Sequence, residues 1–165
     1  MRPSWPPSAR KSEGNIYVGA ALVLMLAALT LALALAAQQT ALGKWLSGWV
    51  RDAQAYYAAL TGLERFKPLC AGVLDPRVAV PGTTAEVAGA AGPVGGGAAV
   101  ERVTAAYTYV SEYAVEADVT SVGSSGGVKV AVRAPVRAEW AVDNSGAFVL
   151  VRAAFTGPAL RTAVP

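Results

Sequence analysis

The side chains that most enzymes use for acid–base and metal chemistry are scarce in this sequence. Histidine is absent, which excludes a Ser-His-Asp triad, a Cys-His pair and every histidine-containing metal site. Cys70 is the only cysteine, which excludes an internal disulfide and a multi-cysteine zinc site. We therefore expect no enzymatic activity, no metal and no cofactor. We interpret Cys70 as a small apolar side chain, with an intermolecular bridge or a lipidation site as the alternatives.

Two further stretches contain residues that could do chemistry, but their spacing is wrong for it. Glu112, Glu116 and Asp118 are close in sequence, yet the oxygen-rich loop of a calcium site is missing around them. In an alternating strand, Glu116 and Asp118 share a solvent-facing side. The three glycines at 95–97 are not followed by the Lys-Ser/Thr pair of a phosphate-binding loop. Both stretches are better explained by structure than by catalysis.

The first structural element that the sequence predicts is a long apolar segment. Residues 15–43 contain no charged side chain, and residues 16–37 are almost wholly apolar. A helix of about 22 residues, rising about 1.5 Å per residue, covers the ~30 Å hydrocarbon core of a bilayer. Such a helix also satisfies its own backbone hydrogen bonds in lipid. The pattern predicts a transmembrane helix at 16–37.

A cleaved export signal is the main alternative interpretation of the same segment. Arg2, Arg10 and Lys11 fit its basic region, and Ala34 and Ala36 fit a small-x-small cleavage site. However, the apolar run exceeds the usual ~7–15 residues, and the helical pattern continues beyond it. We therefore favour a retained anchor.

Basic residues are concentrated beside this segment. Residues 1–77 contain eight Lys and Arg against four acidic residues, whereas residues 78–165 contain six against seven. Basic flanks are typical of membrane helices, and no basic cluster with interleaved aromatic residues predicts a nucleic-acid partner. The basic N-terminal tail favours a single-pass protein with a cytoplasmic N-terminus and an extracytoplasmic C-terminal domain.

The helical periodicity extends well beyond the apolar segment. Residues 1–14 are rich in proline and charge and predict a disordered tail, and residues 15–67 predict one long helix that ends near Pro68. Its second half is amphipathic, and a stripe of large apolar residues forms its packing face: Trp45, Trp49, Tyr56, Leu60 and Leu63. This stripe could pack against the chain's own C-terminal domain or against another subunit. Its tryptophans are also suited to the headgroup layer.

The rest of the sequence predicts a loop followed by strands. Residues 68–100 are rich in Gly, Ala and Pro and predict a loop. Residues 101–165 predict a β-rich domain of three or four antiparallel strands, with a glycine-rich hairpin turn at 123–127. Residues 101–112 fit both a strand and a helix, and we favour helix at their start. The expected fold class is α+β, with a long N-terminal helix and a small antiparallel sheet.

This order of segments resembles that of bacterial pilin-like proteins, above all the TadE-like minor pseudopilins of tight-adherence pili. The similarity is carried by the stretch SEGNIYVGAALVLMLAAL and by the alternating VKVAVRAPVRAEW and AFVLVRAAF stretches. It implies cleavage by a prepilin-type peptidase between Gly14 and Asn15. Gly19 occupies the fifth mature position, where such pilins usually have glutamate.

We therefore expect a non-catalytic, membrane-anchored subunit of a bacterial pilus or secretion apparatus, located in the cell membrane or in an extracellular filament. Its partners would be membrane lipid and the helices of other pilin-like or apparatus subunits. Small residues on the helix would permit close helix approach: Ala20, Ala21, Ala27 and Ala28. The alternative is a secreted or membrane-tethered β-rich binding module whose hydrophobic segment serves export only.

Overall fold

The first element is the long helix α1, which spans Arg10–Phe66. The computed structural model describes the backbone of residues 10–164 and the side chains of residues 17–164. The part of the predicted tail at residues 1–9 lies outside the described residues. Residues 10–14 are helical, because they contain no proline to oppose the extension of the helix toward the N-terminus.

The chain divides into two compact units, Met1–Ser47 and Gly48–Pro165. In the described part of the first unit, the helix is long and apolar enough to cross a membrane, and no part of this apolar window is buried within the chain. Leu22, Leu24 and Leu29 are all more than half exposed. This region is compatible with a single membrane span.

The second unit is built on an antiparallel sheet, which confirms the α+β fold class. A 3-10 turn, Lys67–Leu69, and a short helix α2, Cys70–Val73, follow α1. The strands are β1 (Thr84–Glu86), β2 (Gly92–Gly95), β3 (Ala98–Val110), β4 (Ala114–Ser125), β5 (Val128–Val142), β6 (Phe148–Phe155) and β7 (Leu160–Thr162). They form one sheet in the order β1-β3-β4-β5-β6, with β2 beside β3 and β7 beside β5.

The strand count exceeds the predicted three or four, because seven strands occur in the described chain. Three of the additional strands, β1, β2 and β7, have only three or four residues each. Such short strands show no period-two pattern, and tertiary pairing determines them instead. The predicted loop at 68–100 accordingly contains β1, β2, the short helices and the start of β3.

The prediction of helix at the start of residues 101–112 was wrong, because β3 is a strand throughout. It pairs with β4 from Ala98 opposite Ser125 to Val110 opposite Val115. Irregular register beside Arg102 and again beside Tyr109 interrupts the alternation. These bulges explain why residues 101–112 fit both a strand and a helix, since each bulge shifts the alternation of side chains by one residue.

The β4–β5 hairpin turn is tighter than predicted. Strand β4 continues to Ser125, which is opposite Val128, and only Gly126 and Gly127 form the loop. Their φ angles of 53° and 84° are typical of a type I′ turn, which favours glycine at both positions.

The core of the second unit lies between one face of the sheet and residues 48–66 of α1. Ala55, Ala59, Leu63 and Phe66 contribute the helix side of this core. The sheet side comes from alternate residues of the central strands: Val100, Val103, Ala105, Val115, Val119, Val130, Val132, Val136 and Trp140. The helix therefore covers sheet surface that would otherwise be exposed.

Candidate functional site

The residues predicted to mediate processing and helix assembly all lie in α1. Gly14 and Asn15 are helical, but their side chains are outside the described part of the chain. Ala20, Ala21, Ala27 and Ala28 are exposed in the first unit. Because no described residue of the chain covers these alanines, they remain accessible to lipid or to another helix.

The predicted packing stripe divides into an exposed part and a packed part. In the first unit Trp45 is 66% exposed, and in the second unit Trp49 is 63% exposed. Tyr56 and Leu60 are half-buried against the core, and Leu63 is only 4% exposed. The C-terminal part of the stripe therefore packs on the chain's own sheet, whereas both tryptophans stay largely exposed among the described residues.

The face of α1 that packs on the sheet is made of small residues, which the sequence analysis did not identify. Ala55, Ala58 and Ala59 are fully buried. A Cβ atom on Gly123 would overlap the backbone of Ala55 and Ala59, and a Cβ on Gly62 would overlap the side chain of Ser121. Helix and sheet backbones therefore approach very closely. The recurrence of Ala and Gly at three- and four-residue steps was the available signal.

Polar side chains fix the helix on the sheet at two further points. Arg161 of β7 donates to both carboxylate oxygens of Asp52, at 2.5 and 2.9 Å. This hydrogen bonding lowers the pKa of Asp52 below its ordinary value. Ser125 Oγ donates to Gln54 Oε1 at 2.8 Å. Both contacts join α1 to strands that are distant in sequence.

Arg65 holds strand β2, which precedes β3 in the chain. Its guanidinium donates to the carbonyl oxygens of Gly92 at 3.3 Å and Pro93 at 2.7 Å. Backbone carbonyls of β2 thus receive a charged donor from the helix.

The segment after α2 is anchored to the sheet by two aromatic donors. Tyr107 Oη donates to the Val73 carbonyl at 2.7 Å, and Trp140 Nε1 donates to the Leu74 carbonyl at 2.9 Å. Asp75 accepts hydrogen bonds from the Arg77 backbone and guanidinium, and these bonds lower the pKa of Asp75. This network replaces regular secondary structure in a glycine- and proline-rich region.

Cys70 is buried beside a small apolar cavity. The cavity measures about 290 Å³ and is lined by Phe66, Lys67, Val136 and Phe155 in addition to Cys70. Burial raises the pKa of the Cys70 thiol, so the thiol stays protonated near neutral pH. These surroundings disfavour reactive thiol chemistry and agree with a packing role.

Acidic residues of β3 and β4 form ion pairs with basic residues of β5 on the face of the sheet opposite α1. Asp118 pairs with Arg133, Glu116 with Arg137 at 3.0 Å, and Glu101 with Lys129 at 2.7 Å. Glu112 instead accepts a hydrogen bond from Tyr113. In the described chain Glu101, Glu116 and Asp118 are paired with cations, and the acidic residues do not converge on a metal position.

The chain was compared with protein-family models, with curated proteins and with solved structures, and none of them matches it.

Proposed function

We propose that this chain is a non-catalytic, membrane-anchored subunit of a bacterial pilus or secretion apparatus, with the pilin-like architecture expected from its sequence. The observation that carries the proposal is that two regions of α1 have different surroundings. Its charge-free region is apolar on all sides and uncovered in the first unit. Its later region supplies the helix side of the core in the second unit.

An apolar helical region that no described residue of its own chain covers needs lipid or other helices around it, because burial of apolar surface is worth about 25 cal/mol per Å². In lipid, association between helices depends on close approach of small residues. The four exposed alanines at positions 20, 21, 27 and 28 supply such residues. The β-rich unit would then be held at the membrane surface, N-terminus inside, available to an assembly.

The test is to isolate membranes from a bacterium that expresses the full chain, wash them with alkaline carbonate, cross-link, and identify captured proteins after gentle solubilisation. The proposal predicts retention in the washed membrane and cross-links to other envelope subunits. Recovery of monomer alone, even after cross-linking, would argue against assembly. Recovery in the soluble fraction would argue for the exported binding module instead.

A pair of variants separates anchoring from assembly. Ala21→Leu with Ala28→Leu adds bulk to the small-residue side of the helix, which should reduce cross-linking while leaving membrane retention unchanged. Leu22→Phe with Leu29→Phe adds bulk on the opposite side and serves as the matched control. Equal loss in both double variants would show that the alanines have no specific role.

A further inference from the structure

The sheet of the second unit has two ends at which backbone hydrogen-bonding groups have no neighbouring strand. The strand order places β1 at one end and β6 at the other. Within the described residues, β1 pairs only with β3, and β6 pairs only with β5. Exposed strand edges of this kind can accept a strand from another chain.

The two edges run in compatible directions. Strand β1 is antiparallel to β3, and three further antiparallel steps lead through β4 and β5 to β6. Strands β1 and β6 therefore point the same way. A second copy in the same orientation could place its β1 beside β6 as a parallel neighbour, with the faces of both sheets aligned.

The two edges also carry opposite charges on the same face. Glu86 follows Ala85, which is opposite the buried Ala105, so Glu86 is on the face away from α1. Arg152 precedes Ala153, which is opposite the buried Ala138, so Arg152 is on that face too. Both are exposed, and neither has an ion-pair partner within the described residues.

We propose that the β1 edge of one copy pairs with the β6 edge of the next, with Glu86 beside Arg152 of the neighbouring copy. Because the two edges differ, the contact is head-to-tail and extends the sheet from copy to copy. The apolar side chains of Val149 and Val151, 42% and 65% exposed, lie along the same β6 edge and would be partly covered.

The contact is short and therefore weak on its own. Strand β1 has three residues, and the irregular register of β6 after Leu150 leaves residues 152–155 as its regular stretch. A parallel pairing of this length needs a high local concentration, which confinement to a membrane would supply. In this respect the inference rests on the proposed function.

The test uses the full chain in phospholipid vesicles and the double variant E86C/R152C, treated with a mild thiol oxidant. We expect a ladder of disulfide-linked dimers, trimers and larger species. Each single variant should give at most a dimer, because a head-to-tail chain needs both positions. E112C/R152C is the matched control, since Glu112 is exposed but lies away from β1. The buried Cys70 is present in every variant.

Charge reversal gives an independent measurement by energy transfer between labelled copies in the same vesicles. Glu86→Arg or Arg152→Glu alone should weaken association about two- to fivefold, as expected when an opposite-charge cross-strand pair becomes a like-charge pair. The double reversal should restore association. A ladder no longer than that of the single or control variants, or a double reversal without rescue, would overturn the inference. Failure of the chain to enter vesicles would instead overturn the proposed function.

Discussion

Gly62 lies where α1 packs closely against Ser121 of β4, and its missing side chain makes that approach possible. A Cβ there would overlap Ser121 and crowd Val100. We predict that Gly62→Ala lowers the free energy of unfolding by about 2–3 kcal/mol, because a closely packed core tolerates added volume poorly. Urea denaturation of the detergent-solubilised chain measures it.

Gly48→Ala, in the same helix, is the matched control. A Cβ at Gly48 meets no other group, so this change should raise stability by about 0.5–1 kcal/mol through the better helix propensity of alanine. The Gly62 account would be contradicted if both variants were equally stable. Ser121 Oγ is fully buried without a hydrogen-bond partner among the described residues, so adding Ser121→Ala to Gly62→Ala should recover part of the loss.

Asp75 gives the clearest pH dependence. Hydrogen bonds from Arg77 lower its pKa in the folded protein below the unfolded value of about 4. Folding therefore favours the deprotonated carboxylate. The stability that it contributes is complete above about pH 4 and is lost as the pH falls through the lower folded pKa.

We predict that Asp75→Asn lowers the free energy of unfolding near pH 7 by about 1.5 kcal/mol, which is the low end for hydrogen bonds to a charged group. The same variant should lose less stability than the wild type between pH 5 and pH 2. Arg77→Gln should behave similarly. An acid profile unchanged in both variants would show that this pair contributes nothing to folding.

The close contacts between α1 and the sheet could not be predicted from the sequence. Ala55, Ala59 and Gly62 show helical spacing, yet alanine and glycine also occur widely on exposed helices. Only the three-dimensional placement of Gly123 and Ser121 against these residues identifies a contact face. Likewise, the pairing of Asp52 with Arg161 joins residues that no local pattern relates.

At the scale of elements, the packing stripe of α1 has different surroundings along its length. Leu63 is in the core, whereas Trp49 is exposed. We predict that Leu63→Ala lowers the free energy of unfolding in detergent by about 2–5 kcal/mol, through lost burial and the cavity that remains. Trp49→Ala should change it by less than about 1 kcal/mol. Thermal unfolding of both variants provides the comparison.

A large loss in the Trp49 variant would mean that the side chain packs within the chain after all. If Trp49→Ala leaves stability unchanged but reduces binding of the chain to vesicles, the ring acts at the headgroup layer.

The elements also show why a prediction from sequence succeeded for some of them and failed for others. In the long helix and in the β4–β5 hairpin, a long run of residues follows one regular periodicity, and both elements were predicted. Strands β1, β2 and β7 are determined by pairing with longer neighbours, so their own residues contain little signal. In β3, the bulges disrupted a pattern that a regular strand would have shown.

At the scale of the whole molecule, the β-rich unit depends on the last part of α1. Residues 48–165 form one compact unit, and its core includes Ala59, Leu63 and Phe66. We predict that a fragment of residues 48–165 folds, whereas residues 71–165 aggregate because one sheet face is left uncovered. Circular dichroism and size-exclusion chromatography distinguish these outcomes. A soluble, folded fragment of residues 71–165 would contradict this account of the core.

The central claim is that the apolar region of α1 remains in the mature protein as its membrane anchor. Mass spectrometry of the N-terminus of the protein isolated from the cells that make it tests this claim most directly. A mature chain that begins at or before Asn15 keeps the whole apolar segment, as the account predicts, and a start at Asn15 itself would match prepilin-type cleavage after Gly14. A mature chain that begins at Ala37 or later would contradict it, because the segment would then have served only for export.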